Sequence, residues 1–141
     1  MTVTRATTED DLATCLTIRR VVFIEGQDVP EEEEVDGKDP DCLHYIMRKD
    51  GRAIATARVL PMEEKAKIQR VAVLEDARSS GIGSILMRAI LDDLRSNHPF
   101  QKAILGSQTH AIGFYEKLGF TAYGPVYDDA GIPHRDMELT L

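Results

Sequence analysis

Tryptophan is absent from this chain of 141 residues, and phenylalanine and tyrosine occur only four times each, so a fold built on stacked aromatic platforms is not expected. Long hydrophobic runs are missing too: stretches such as Val21-Val22-Phe23-Ile24 fall far short of the ~20 apolar residues that cross a bilayer, so no membrane partner is expected. Met1-Thr2-Val3-Thr4-Arg5 has no apolar signal core, which makes the cytoplasm the expected location. The two cysteines, Cys15 and Cys42, form no CxxC or CxxH pair. Zinc and redox chemistry therefore lack their usual spacing, no metal is expected, and both thiols read as buried or half-buried. Positive charge is scarce, with 17 Lys and Arg against 24 Asp and Glu and a net charge of −7. Without a basic run to neutralise phosphates, nucleic acid is excluded as a partner. A small anion is not excluded, because backbone N–H groups can hold a phosphate without cationic side chains.

What is present fits one domain over residues 1–141, long enough to bury roughly two-thirds of its unfolded surface. Thr2 to Ala6 reads as a first strand. Thr8, followed three positions later by Asp11, has the form of a capping box, and Leu12, Cys15, Leu16, Arg19 and Phe23 recur at helical spacing to about Ile24, before Gly26 and Pro30. Glu31 to Asp41 reads as a solvated acidic loop. Strands are expected over 43–48 and 52–60, joined by the Asp50-Gly51 turn, and over 67–74. In the last of these Gln69, Val71 and Val73 share one face, while Ile68, Arg70, Ala72 and Leu74 share the other. A helix follows, with Ile82, Ile85, Leu86, Ala89, Ile90 and Leu94 on one stripe and Pro99 as its stop. Then come a strand over 102–106, a short helix over 111–118, and closing strands over 120–123 and 136–141. This order implies an α/β fold of the α+β kind, with a mixed sheet and flanking helices.

The junction from Val71 to Ser84 is the most informative stretch. Glycines at 81 and 83 let the backbone bend and approach a ligand, and the N–H groups of the following helix, with its dipole, form an anion cradle suited to a pyrophosphate. No Gly-Lys-Ser/Thr follows and the spacing is not GxGxxG, so neither a nucleoside-triphosphate loop nor a dinucleotide fingerprint is present.

Val71-Ala72-Val73, five residues ahead of Arg78-Ser79-Ser80-Gly81-Ile82-Gly83, resembles the acyl-coenzyme A motif of the GNAT acetyltransferase superfamily. Ala111-Ile112-Gly113-Phe114-Tyr115-Glu116-Lys117-Leu118-Gly119-Phe120 looks like that family's second element, A-I-x-F-Y-E-K-x-G-F. The order of elements over essentially the whole chain is similar to the GNAT fold. A narrower resemblance, to a bacterial subfamily of small, largely uncharacterised acyltransferases, runs through Arg20-x-x-Phe23, Gln27-x-x-Pro30, Glu34-x-Asp36, His44, Ala57-Arg58, Gln108 and Gly131-Ile132-Pro133-His134. Two positions depart from the family pattern. Ser79 stands where Gly is usual, and Gln108 stands where many members carry an Asn that contacts the cofactor.

The resemblance implies transfer of an acetyl group from acetyl-coenzyme A to an amine, directly in a ternary complex. Val71, Ala72 and Val73 would meet the pantetheine arm, and Arg78, Ser79, Ser80, Gly81, Ile82, Gly83 and Ser84 would hold the pyrophosphate. Gln108 and Phe114 would complete the cofactor site. Tyr115 is the expected proton donor to the leaving thiolate, and a packed aromatic is the alternative. Many members place a Glu on the strand before the glycine loop, where this chain has Gln69, so the base is sought among histidines. His134 and His44 are the candidates, each with a structural hydrogen-bonding role as alternative; His110 is third, and His98 reads as surface. Arg20, Arg58 and Arg70 are candidates for orienting an acidic substrate group, with pairing to the chain's carboxylates as the alternative for Arg58 and Arg70. Glu34 and Asp36 are singled out from the acidic run by the subfamily pattern. The expected acceptor is the amine of a small molecule, and dimers are common in this fold. A non-catalytic coenzyme A-binding sensor or interaction module, and a protein-lysine acetyltransferase, are the alternative readings.

Overall fold

The patterned segments assemble into a mixed sheet with helices on both faces. The computed structural model describes residues 1–78 and 81–141. Its strands are β1 (Thr2–Arg5), β2 (Leu43–Lys49), β3 (Arg52–Met62), β4 (Lys65–Val73), β5 (Lys102–Gln108), β6 (Thr121–Asp129) and β7 (Ile132–Thr140). Its α-helices are α1 (Glu9–Arg19), α2 (Glu31–Glu34), α3 (Ile82–Asn97) and α4 (Ile112–Lys117). The strand order is β1-β2-β3-β4-β5-β7-β6, and among the described residues only β4 and β5 run parallel.

On one face, α3 presents Ile82, Leu86, Met87, Ile90, Leu91 and Leu94 to the sheet, all buried, against Val59, Ile68, Ala103, Leu105 and Met137. Each such side chain contributes ~1.5–3 kcal/mol by leaving water, so this stripe is a main source of stability. On the other face α1 packs Cys15 against Ala6 and Ile46, and Ile18 with Val22 against Ala72. β3 is covered on both sides, which is why the run from Ile54 to Val59 is buried throughout and is mostly small or aliphatic.

Several expected boundaries move, each for a physical reason. Thr8 caps α1 by accepting from the Asp11 N–H at 3.1 Å. The Asp11 carboxylate does not complete the box; it pairs with Arg48 at 2.7 Å. The first helical run reaches Glu25, but from Arg20 on it widens into a π-type helix, which turns Val22 inward below Ile18. The acidic stretch is not a plain solvated loop. It folds as α2 and a 3₁₀ turn over Asp39–Asp41, and it buries Glu34 to 4% exposure. β6 and β7 run much further than composition suggests, meeting at a turn where Ala130 and Gly131 both have positive φ. Gly124 and Pro125 disguise β6, yet an edge strand tolerates them because one side makes no ladder.

The most consequential change is in β4. Arg58 pairs with Gln69 and Thr56 with Ala72, so β4 carries one extra residue there, and Arg70 adopts φ +56°. This bulge flips the strand's parity. Ile68, Val71 and Val73 face α3, while Ala72 turns to α1 beneath Ile18 and Val22. The expected alternation therefore holds on each side of Arg70 but not across it.

Candidate active site

The parallel pairing of β4 and β5 covers only Lys65–Lys67 against Lys102–Ile104. Beyond Ile104, β5 turns its other edge to β7 through Gln108, and the two parallel strands diverge. Their divergence opens a cleft of about 710 Å³, floored by Gln69, Val71 and Val73 on one strand and Leu105 to Gln108 on the other. The bulge leaves Arg70 and Val71 without register partners on β3, and on the other edge of β4 the pairing with β5 ends at Lys67, which exposes the strand to the cleft.

At one end of the cleft stands the N-terminus of α3. Gly81 takes φ +72°, a turn that a Cβ would strain, and α3 has neither a side-chain cap nor an acidic residue in its first turn. The first α3 bond into this turn runs from the Ile85 N–H to the Gly81 carbonyl, so the N–H groups of Ile82, Gly83 and Ser84 lack intrahelical partners. Gly83 lets α3 pack closely on Phe114; a Cβ there would lie 3.2 Å from the ring, which would have to shift by a few tenths of an ångström. Arg78 folds back to donate from Nε to the Val73 carbonyl at 2.9 Å, pinning the loop to the strand end. Ser79 and Ser80 lie outside the described residues.

A splayed parallel pair leading to an uncapped helix is the geometry expected of an acyl-coenzyme A site, and comparison with known proteins agrees. A family model described as "Acetyltransferase (GNAT) domain" matches residues 21–141. The chain belongs to the GNAT acetyltransferase family. It is 35% identical to the uncharacterised protein YyaT of Bacillus subtilis, over 95% of this chain and 92% of that protein. The crystal structure of Escherichia coli ElaA matches with a TM-score of 0.87 at 29% identity, covering 97% of each chain. An acyl-CoA N-acyltransferase from Pseudomonas aeruginosa matches with a TM-score of 0.83 at 32% identity, again over 97% of each. Membership makes this GNAT chain an acyltransferase with an acyl-coenzyme A cosubstrate. Its cleft fits that group: Val71 and Val73 line the arm of the notch, and Arg78, Gly81, Ile82, Gly83, Ser84 and Phe114 line the cradle. Ala72 does not face the cleft, because the bulge turns its side chain to α1.

Gln108 also lines the cleft, but its amide is engaged by protein. Its Nε2 donates to the Gln27 Oε1 at 3.0 Å, and His110 Nε2 lies 2.6 Å from its Oε1. Gln27 and Gln108 thus tie the segment after α1 to the end of β5 across the mouth of the GNAT notch.

Behind the opposite wall lies a cluster of charge, of which Glu34 and Arg70 line the cleft. Arg19, Arg58 and Arg70 meet Glu34, Asp36 and Asp39. Arg58 is fully buried; it donates to both Asp36 oxygens, to Asp39 and, through Nε, to Gln69 at 3.0 Å. Its hydrogen bonds hold the Asp36 carboxyl far below its ordinary value. Burial pushes Asp39 up, but hydrogen bonds from Arg19 and Arg58 outweigh it and leave it lowered.

Three expected substrate contacts are corrected here. Arg58 does not reach the cleft, because its guanidinium is consumed by these partners. Arg20 is 54% exposed on the outer side of its helix and pairs with Glu31 at 2.9 Å. His44 is buried beneath the network, with Nε2 2.8 Å from the Asp39 carbonyl. Glu34, Gln69 and Arg70 do line the cleft. The sequence reading missed the buried role of Arg19, although Arg19 sits four residues after buried Cys15 and one beside Ile18, on the inward stripe that Arg20 leaves.

Two groups sit between the halves. Tyr115 is half-buried at the cleft wall, edge-on to Phe114 and Phe120, with ring centroids at 4.9 and 6.0 Å. Burial alone pushes its pKa up to about 12. His134, opposite Gln108 on β7, has Nδ1 2.8 Å from the Ile132 carbonyl. A carbonyl only accepts, so Nδ1 carries a proton, and in the neutral imidazole it is Nε2 that keeps the lone pair. Tyr127, also missed in the sequence, stacks on the imidazole at 6.0 Å and donates to Asp136 at 2.8 Å. Its hydroxyl occupies the space over Gly106, where a Cβ would come within collision distance.

Proposed function

We propose that this protein transfers an acetyl group from acetyl-coenzyme A to the amine of a small molecule, directly and without a covalent enzyme intermediate. The carrying observation is a single continuous cleft that joins the uncapped start of α3 to Tyr115 on one side and His134 on the other. The bound thioester supplies an activated acyl group, whose passage to an amine forms a C–N bond, breaks the C–S bond and releases a proton and a thiolate. The first-turn N–H groups of α3 bind the pyrophosphate. The backbone of the β4 bulge aligns the arm, and N–H groups there stabilise negative charge on the carbonyl oxygen. His134 Nε2 takes the proton from the amine; an ordinary alkylammonium is almost wholly protonated at neutral pH, so this step is required. Tyr115 holds its proton across the neutral range and delivers it at Oη to the thiolate. Cys15 is buried and Cys42 donates to the Lys38 carbonyl, and neither lines the cleft, which supports the direct route.

The test is thiol release from acetyl-coenzyme A in the presence of a panel of primary amines. Amine-dependent release that His134→Gln lowers about 10²-fold supports the reading. One observation favours a second reading: Gln69 accepts from Arg58 and offers no base where relatives often carry Glu. A protein that binds acetyl-coenzyme A tightly yet turns over no amine is a coenzyme A-binding module instead.

A further inference from the structure

The charged wall of the cleft is unevenly satisfied. Asp36 gives both oxygens to Arg58, at 3.0 and 2.6 Å, and Asp39 Oδ1 serves both Arg19 at 2.7 Å and Arg58 at 2.9 Å. Glu34 Oε1 sits 2.6 Å from Arg19 Nε. Arg70 receives what is left. Its NH2 makes contacts of 3.2 Å with the Glu33 and Glu34 carbonyls and 3.4 Å with Asp36. Its Nε is buried, has no hydrogen-bond partner among the described residues, and lies 3.6 Å from Glu34 Oε1. Burial and the neighbouring Arg58 guanidinium both pull its ionisation downward, as expected for a cation short of counter-charge.

Its backbone tells the same story. At φ +56° a glycine or asparagine would sit more easily than an arginine. The bulge aims a strained, under-partnered guanidinium at the cleft, on the wall that faces away from the cradle. A strained residue held against local preference points to a use for its side chain.

We propose that Arg70 is the receptor for a carboxylate on the acceptor, so that the acceptors are aminocarboxylic acids with their amine turned to His134. A carboxylate accepts from two guanidinium N–H groups at once, which neutral neighbours cannot match. It would give Arg70 a closer counter-charge than Glu34 and Asp36, which stand 3.6 and 3.4 Å from it while pairing at 2.6 Å with Arg19 and Arg58. Lys67 also lines the cleft and adds positive charge, whereas Asp129 lies on the hairpin that carries His134, the end where an ammonium would lie. This inference rests on the N-acetyltransferase reading above.

The experiment compares the twenty free L-amino acids with their carboxamides as acceptors, by thiol release from acetyl-coenzyme A. The carboxylate forms should be favoured in kcat/KM by about 10- to 100-fold. Arg70→Asn suits the backbone angle, and an acetyl-coenzyme A thermal shift verifies that it folds; in it the preference should collapse to within about threefold. Arg20→Asn, on the outer surface, should leave the preference as it is. Calorimetry with N-acetyl-L-amino acids gives a readout independent of turnover: binding to the native protein and none to Arg70→Asn. Equal use of both acceptor forms, or a preference that survives in Arg70→Asn, overturns the assignment of Arg70 while acetyl transfer to amines stands. If neither acceptor set releases thiol, nor any other amine, the N-acetyltransferase reading falls and this one with it.

Discussion

The two walls of the cleft are built on opposite plans. The cradle wall is made largely of backbone: the bulged end of β4, a glycine at positive φ and a helix start without a side-chain cap. The other wall is made of side chains: Glu34 and Arg70 line it, backed by Arg19, Arg58, Asp36 and Asp39. A backbone site binds what every cosubstrate molecule shares and can serve many enzymes unchanged. A side-chain site can be rewritten residue by residue. The difference also separates stability from binding. The charged wall contains buried ions that need one another, whereas the first-turn N–H groups of α3 have no intrahelical partner.

The contrast can be broken from either side. The largest effect is expected from Arg58→Met, which leaves Asp36 only the 3.4 Å contact with Arg70 and Asp39 only Arg19. It should cost about 3–5 kcal/mol in urea unfolding, yet the remaining folded protein should still respond to acetyl-coenzyme A. Gly81→Val attacks the other wall. It should abolish the ligand's stabilisation, which is ~2.7 kcal/mol at a hundredfold over Kd, and a variant that keeps the thermal shift would refute the cradle. Tyr115→Phe keeps the ring packing and removes the proton, so kcat should drop about 10²-fold with cosubstrate affinity retained. Acid sharpens the contrast most gently. The Asp36 and Asp39 carboxyls lie below their ordinary value of 3.8 in the folded protein, so the unfolded chain binds those protons more readily. The stability they add is complete above that pH and drains away as pH falls below it. Asp36→Asn should flatten that acid limb in a pH series of melting temperatures.

The same contrast explains how much was legible in the sequence. A backbone site leaves glycines at fixed offsets within a dozen residues, so Gly81, Gly83 and the strand ahead of them could be read directly, as could the α3 stripe. The charged wall gathers positions 19, 34, 36, 39, 58 and 70, which no local spacing connects. Arg19 and Arg20 are adjacent, yet about 100° of helix rotation separates a buried ion from a surface one. The parity flip at Arg70 was invisible because a bulge changes the pairing partner and leaves the hydrophobic pattern on either side intact. The β6–β7 hairpin hid behind Gly124, Pro125 and Pro133, residues that mark loops in most settings and are tolerated near an edge.

The short seam between β4 and β5 has a consequence for how the chain assembles. Four antiparallel strands on one side and three on the other form two plates, joined within the sheet by three residue pairs that close only after α3 has crossed between them. Such a non-local parallel join is slow to form and first to loosen. A molecule lying in the notch touches both plates just beyond the seam and acts as a rivet. Bound acetyl-coenzyme A should therefore slow amide exchange at Lys65–Lys67 and Lys102–Ile104 more than at the outer strands, coupling the cosubstrate to the mechanical unity of the sheet.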